Sequence, residues 1–221
     1  MQRYKRSRGF GVHSPFAFHF ILRVLMEKAP YYCYPQLVVR RRVALGLLAD
    51  AGGHRDVISV KCMKMLLRLS AWFRPRRVLV LGDDCGLAVT SLLAASSSST
   101  AVTTGGDGVT GMILRPLAPR TTVAPDIASA IDAYGAMTES SFVLVNGGDC
   151  PDLTAATAAA AMAVDAGGVV VFRSLDAGAG VMEQWNRLSE SMTCGMTFSN
   201  GKTGIIVARK HLPRQDFALW F

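Results

Sequence analysis

The fold class of this chain is decided by the stretch Val78-Leu79-Val80-Leu81-Gly82-Asp83-Asp84-Cys85-Gly86. Four consecutive apolar residues that end at a glycine are typical of a strand buried on both faces of a parallel sheet. Residues 82–86 then form a short loop with glycine at both ends, and residues 87–95 have the apolar spacing of a helix. The stretch therefore predicts a strand, a glycine loop and a helix in succession, which is the repeating unit of an α/β fold.

The same succession recurs in weaker form towards the C-terminus. Further strands are predicted at residues 101–104, 121–123, 142–145 and 168–172, and further helices at 126–137, 152–164 and 180–192. Strands that alternate with helices predict a mostly parallel, doubly wound α/β sheet. Residues 195–199 and 203–209 flank Asn200-Gly201-Lys202, and Asn-Gly between two strand-like runs predicts an antiparallel hairpin at the end of that sheet.

The first third of the chain has helical periodicity. Helices are predicted at residues 14–28, 35–51 and 57–73, the first with Ser14 as its N-cap and Pro15 at its first position. We therefore expect an N-terminal helical extension over residues 1–75 and a sheet domain over residues 76–221.

Charge is distributed unevenly along the chain. Residues 1–77 contain 16 Lys and Arg, including Arg40 to Arg42, but only three acids, Glu27, Asp50 and Asp56, so their formal charge is +13. The remainder carries −5, which gives the net charge of +8. This basic third is either a solvated surface or a surface for an acidic partner. No recognisable nucleic-acid module accompanies it, so nucleic acid is not an expected partner.

Cysteine and histidine usage bears on the compartment and on metals. The five cysteines are widely spaced and form no Cys-x-x-Cys pair, which argues for a reducing compartment. The four histidines lie in no close Cys/His group, so no metal site is predicted. No uncharged run reads as a membrane span, and we expect a soluble cytoplasmic protein.

The loop at residues 82–86 allows two interpretations. Ligands in open α/β sheets bind beyond the carboxyl ends of the strands, where glycine lets the backbone approach closely. The alternative is a tight connection in which Asp83 or Asp84 caps the following helix. His13 also has two interpretations: it overlies the mouth of an active site, or it starts a helix that docks on the domain. Tyr32 either lines a pocket for the acceptor or packs against other side chains.

The chain resembles a group of bacterial class I S-adenosylmethionine-dependent methyltransferases over nearly its whole length. The resemblance is carried by the opening Gly9-Phe10-Gly11-Val12-His13-Ser14-Pro15-Phe16, by Tyr31-Tyr32, by the stretch 78–86, and by Gly204-Ile205-Ile206 near the end. It implies a Rossmann-like methyltransferase fold and S-adenosylmethionine as cofactor. The implied cofactor-binding residues are Gly82, Asp83, Asp84, Gly86, Gly106, Asp107 and Asn146, and the weaker substrate candidates are His13, Tyr32 and Asp149.

At four positions where members of that group typically have an acidic residue, this chain has a residue that is not acidic. Val80 stands in the first strand, Gly106 after the second, Asn146 after the fourth, and Arg173-Ser174 after the fifth. Loss of a carboxylate that holds the ribose through two bonds costs about 3 to 6 kcal/mol, on the order of a hundredfold or more in affinity. Asp107 substitutes for it if the second strand ends one residue later. Metal-assisted transfer is disfavoured for want of a carboxylate cluster.

Three functions follow from these observations. The first is an S-adenosylmethionine-dependent methyltransferase that acts on a small-molecule or other unidentified acceptor, with no catalytic residue assigned. The second is a catalytically inactive relative, a pseudoenzyme that has lost the cofactor and binds a partner through its basic third. The third, a nucleotide-binding dehydrogenase, is disfavoured because Gly82-x-x-x-Gly86 is not Gly-x-Gly-x-x-Gly.

Overall fold

The computed structural model describes residues 2–52, 57–105 and 108–221. The strands are β1 (Arg77–Leu81), β2 (Thr100–Thr104), β3 (Thr121–Ala124), β4 (Phe142–Asn146), β5 (Val169–Arg173), β6 (Met196–Ser199), β7 (Thr203–Val207) and β8 (Gln215–Ala218). The α-helices are α1 (Gln2–Ser7), α2 (Pro15–Phe20), α3 (Tyr34–Asp50), α4 (Val60–Phe73), α5 (Leu87–Leu93), α6 (Gly108–Leu114), α7 (Ile127–Tyr134), α8 (Leu153–Asp165) and α9 (Ala179–Glu190).

The chain forms two compact units. One, here called the loop unit, comprises Pro30–Ala136 and Asp149–Asp152. The other, here called the hairpin unit, comprises Met1–Ala29, Met137–Gly148 and Leu153–Phe221. The predicted division at residues 75 and 76 into an extension and a sheet domain stays a prediction.

The loop unit contains three parallel strands in the order β3-β2-β1. Residues 78–81 of β1 are at most 1% exposed, as the continuous apolar run predicted. Helix α4 begins at Val60, later than the predicted start at residue 57, because the Ser59 hydroxyl accepts a hydrogen bond from the Cys62 amide and fixes the N-terminus there. Helix α7 ends at Tyr134 and does not reach residue 137, since the chain leaves the helix at Gly135.

The hairpin unit contains the antiparallel strands. β4 and β5 are parallel, β7 runs antiparallel to both β5 and β6, and β8 lies parallel to β6 at the edge. The predicted hairpin is confirmed: Asn200 Oδ1 accepts hydrogen bonds from the Lys202 and Thr203 amides, and Gly201 has a φ of 89°. Helices α8 and α9 are confirmed near their predicted positions, whereas β8, and α6 in the loop unit, were not predicted.

In the N-terminal segment of the hairpin unit, the prediction that Ser14 caps a helix is confirmed. The Ser14 hydroxyl accepts a hydrogen bond from the Ala17 amide at 3.3 Å, and Pro15 occupies the first turn of α2. The helix continues as a π-helical turn, Ile21–Leu25, and so ends before the predicted residue 28. Phe20 is fully buried, with its ring centroid 4.7 Å from that of Phe198 in β6. Burial of this apolar surface holds the segment on the sheet.

Together the strands have the predicted class, a mostly parallel α/β sheet with an antiparallel C-terminal hairpin. Among the helices that the structure describes, none combines the length and the hydropathy needed to cross a bilayer.

Candidate functional site

The loop that follows β1, residues 82–86, is here called the glycine loop. Three of its residues have left-handed backbone conformations: Gly82 (φ 89°), Cys85 (φ 60°) and Gly86 (φ 70°). The Gly82 amide donates a hydrogen bond of 2.9 Å to Thr104 Oγ1 at the end of β2. Both residues are buried, so this bond fixes where the loop leaves the strand.

Asp83 is the half-exposed acid of the glycine loop. Its Oδ1 accepts hydrogen bonds from the Cys85 amide and from the Thr110 hydroxyl in α6, both at 2.9 Å. Its own amide donates to the Asp149 carbonyl at 3.2 Å. A Cβ added at Gly105, after β2, would lie 3.1 Å from Asp83 Cγ. The structure therefore brings a carboxylate to the carboxyl ends of β1 and β2 and orients it through two hydrogen-bond donors.

Asp84 is turned inward. It is 4% exposed, and its Oδ2 accepts a hydrogen bond of 2.8 Å from the Ala88 amide in the first turn of α5. A carboxylate at this position satisfies a free helix N–H and interacts favourably with the helix dipole. This contact favours the capping interpretation for Asp84, and its role towards a cofactor stays a prediction.

Gly86 permits close packing with α6. A Cβ at Gly86 would lie 2.7 Å from Leu114 Cγ, and Leu114 is 3% exposed. The space into which a side chain at residue 86 would project is therefore filled by an aliphatic group. Gly86 contributes its backbone conformation and this close approach, while the predicted contact with a cofactor stays untested.

Two predicted residues, Gly106 and Asp107, lie outside the described residues. The prediction that Asp107 replaces the missing ribose carboxylate therefore rests on the sequence.

The ends of β4 and β5 in the hairpin unit carry a buried cation and an amide. Arg173 Nη1 donates a hydrogen bond of 2.7 Å to Asn146 Oδ1, and the two residues are 5% and 2% exposed. Ser174 follows with a φ of 56°. In the described part of the chain, no group of three His, Cys, Asp or Glu side chains could hold a metal ion. The guanidinium thus places positive charge where the resemblance leads one to expect acids.

The three substrate candidates lie in different surroundings. His13 is exposed in the hairpin unit, directly before the Ser14 cap of α2. Tyr32 is 87% exposed in the loop unit, before α3. Asp149 is exposed, and its carbonyl oxygen accepts a hydrogen bond from the Asp83 amide of the glycine loop. Within the loop unit, the structure therefore brings Asp149 next to the glycine loop.

Sequence reasoning missed Thr104, Thr110 and Leu114, which shape the loop from β2 and α6. Threonine is common in strands, so Thr104 gave no distinct signal. The one available sign was its place at the carboxyl end of a strand that neighbours the glycine loop.

The sequence matches no family model and no curated protein. Solved structures do resemble it. A methyltransferase from Geobacter sulfurreducens superposes with a TM-score of 0.58 at 13% identity, over 89% of this chain and 98% of its own. The fold is that of the Rossmann-like methyltransferases.

Several of the similar structures contain a bound ligand. The S-adenosylhomocysteine-bound methyltransferase from Podospora anserina has a TM-score of 0.61 at 9% identity, covering 89% of this chain and 97% of its own. The O-methyltransferase from Bacillus cereus, also in complex with S-adenosylhomocysteine, has a TM-score of 0.58 at 14% identity, with 86% and 96% covered. The predicted methyltransferase fold is thereby confirmed.

Proposed function

We propose that this protein is an S-adenosylmethionine-dependent methyltransferase for an acceptor not yet identified, with a small molecule as the expected class. The observation that carries the proposal is the glycine loop after β1, which presents the Asp83 carboxylate within a methyltransferase fold. Similar structures with bound S-adenosylhomocysteine support the same cofactor.

In the loop unit, the surroundings of Asp83 are suited to binding the ammonium group of S-adenosylmethionine. S-Adenosylmethionine supplies a methyl group activated by a positively charged sulfur, and it also carries an ammonium group. Asp83 is half-exposed and held in place by Cys85 and Thr110, so it can accept a charge-assisted hydrogen bond from that ammonium group without rearrangement. We assign the ribose hydroxyls to Asp107 on the sequence pattern.

The chain's own contribution to the reaction is placement. Fixing the acceptor near the reactive methyl supplies much of the rate, and a general base is needed only when the acceptor must lose a proton. We assign no base. Arg173 and Asn146 occupy the ends of β5 and β4, and a guanidinium and an amide there favour transfer without a divalent cation over metal-assisted transfer.

Calorimetric titration with S-adenosylmethionine and S-adenosylhomocysteine tests the proposal. We expect heat of binding at ligand concentrations of about 1 mM or below. Asp83→Asn keeps an oxygen for Cys85 and Thr110 but removes the charge, so affinity should fall by about 10- to 100-fold. Asp132→Asn, an exposed carboxylate on α7, is the matched control and should bind like the wild type. Absence of heat with both ligands would refute the proposal.

A second candidate is the catalytically inactive, partner-binding protein. It is favoured by two contacts that occupy groups of the predicted cofactor site. The Asp84 carboxylate accepts a hydrogen bond from the Ala88 amide, and the Leu114 side chain fills the space beside Gly86. In this case neither cofactor binds, and an acidic partner is bound by the basic third, including the exposed Arg3 and Lys5. Poly-glutamate binding that Arg3→Gln and Lys5→Gln abolish together, without any cofactor heat, would favour this candidate.

The cytoplasmic location stays a prediction. All five cysteines are free thiols in the structure, which supports a reducing compartment.

A further inference from the structure

A cavity of about 540 Å³ lies within the loop unit near the carboxyl end of α5. The glycine loop precedes the amino end of the same helix, whose seven residues span about 10 Å. The cavity is lined by α3, by the last turn of α5 with the serines that follow, and by the 3₁₀ turn Arg115–Arg120. Its volume lies in the range of about 300 to 1,000 Å³ that is usual for small-molecule sites.

The cavity wall is positively charged. Arg40 and Arg120 are among its lining residues, and none of the lining residues is acidic. Arg120 Nη1 lies 3.4 Å from the carbonyl oxygen of Leu93, the last residue of α5, and donates to the carbonyl oxygens of Ser96 at 2.7 Å and Ser99 at 3.3 Å in the loop that follows. Its positive charge thus lies favourably at the C-terminus of α5. Within the residues that the structure describes, the N–H groups on Nε and Nη2 of Arg120 make no hydrogen bond and remain as donors.

Arg40 supplies the second guanidinium. It is half-buried on α3, one turn after Gln36 on the same face, and in the described part of the chain it makes no hydrogen bond or ion pair. Its neighbour Arg41 is committed to the Ile58 carbonyl at 2.7 Å. A half-buried cation that has lost part of its hydration gains from an anionic ligand. Arginine also matches phosphate oxygens bidentately.

An aromatic ring stands at the same cavity. Tyr32 lines it and is 87% exposed. A tyrosine ring in this position offers a face on which a planar group can stack. Tyr32 lies in the turn before α3 and Arg40 lies on α3, and both line this cavity.

We propose that this cavity binds a small organic phosphate that carries a flat ring. Arg40 and Arg120 hold the phosphate, and Tyr32 stacks on the ring. The site is distinct from the glycine loop, and the inference does not depend on methyltransferase activity.

The probe is uridine monophosphate, because it lacks the adenosine group with which a nucleotide could compete with S-adenosylmethionine for the glycine loop. At constant ionic strength we expect calorimetric binding of uridine monophosphate and none of uridine. Arg40→Gln should weaken binding by about 10- to 100-fold, the loss of a hydrogen-bonded charge. Arg42→Gln, an exposed arginine two positions along α3, is the matched control and should leave the affinity unchanged. Tyr32→Ala should weaken binding, and Tyr32→Phe should not.

The opposite results overturn the proposal. These are no heat at about 10 mM nucleotide, equal affinity in Arg40→Gln, or inorganic phosphate that binds as tightly as the nucleotide. Thermal unfolding of each variant verifies that it is folded. If Asp83→Asn weakens nucleotide binding, the ligand occupies the glycine loop and the inference fails. If S-adenosylhomocysteine does not bind while uridine monophosphate does, the proposed function fails and this site stands.

Discussion

Thr104→Val is the substitution that tests how the glycine loop is held. Thr104 Oγ1 accepts a hydrogen bond of 2.9 Å from the Gly82 amide, and Thr104 is 5% exposed. Valine has nearly the same shape but cannot accept this bond. The buried Gly82 N–H would then lose its acceptor at the point where the loop leaves β1.

The expected cost follows from that loss. A buried donor left without an acceptor destabilises a protein by about 1 to 3 kcal/mol. For a chain of this size, each kcal/mol lowers the melting temperature by about 2 to 4 °C, so Thr104→Val should melt about 2 to 12 °C below the wild type. Thr104→Ser retains the hydroxyl and should recover part of the stability.

Thermal unfolding and urea titration measure the effect. The urea midpoint should fall while its slope, which reports the surface exposed on unfolding, stays constant. Thr100→Val is the matched control, because Thr100 is exposed at the start of the same strand. If Thr104→Val is as stable as Thr100→Val, or if Thr104→Ser is as unstable as Thr104→Val, the hydrogen bond does not hold the loop and the reasoning is refuted.

Three further substitutions or treatments test other parts of the structure. Ser14→Ala removes the cap of α2 and should lower the free energy of unfolding by about 1 kcal/mol in urea titration; no change would contradict the capping contact. Gly204→Ala places a Cβ 2.5 Å from the Trp185 ring and should cost about 1 to 3 kcal/mol, whereas Gly180→Ala in α9 meets open space and should not destabilise. Burial raises the pKa of the Cys150 thiol from 9.0 to about 11, so its alkylation at pH 8 should be on the order of a hundredfold slower than in urea and accelerate up to pH 11; rapid alkylation at pH 8 in the folded protein would contradict this.

Much of the fold could be predicted because local and global preferences agree. The run at residues 78–81 is apolar throughout and lies in a strand buried on both faces, so pattern and structure coincide. The hairpin was predictable because Asn200 and Gly201 meet the needs of the turn by themselves.

The missed elements depend on distant parts of the chain. Helix α6 contains Gly108 and Gly111, which disfavour helix locally, and its residues Ile113 and Leu114 are buried by packing against other helices. Strand β8 is short and partly exposed, and it pairs with β6 about 20 residues earlier, where Asp216 accepts a hydrogen bond from Thr197. No local pattern predicts such a pairing.

The candidate site also has a part that the sequence predicts and a part that depends on distant residues. The glycines at positions 82 and 86 were predictable because a strand that ends in a loop beside a helix marks the place. The contacts of Asp83 with Thr110 and of Gly86 with Leu114 were not, because α6 provides both partners from further along the chain. The inward turn of Asp84 was likewise one of two alternatives until the Ala88 contact decided its direction.

Two of the tryptophans differ in their exposure to water, and they should therefore differ in fluorescence. Trp185 is 5% exposed in the hairpin unit, with its ring centroid 6.0 Å from that of Phe172, while Trp72 in the loop unit is 40% exposed. A variant that retains only Trp185 should emit at shorter wavelength than one that retains only Trp72, because its indole is shielded from water. Fluorescence of the two variants would report on the surroundings of Trp185 and of Trp72 separately during unfolding, without any added label.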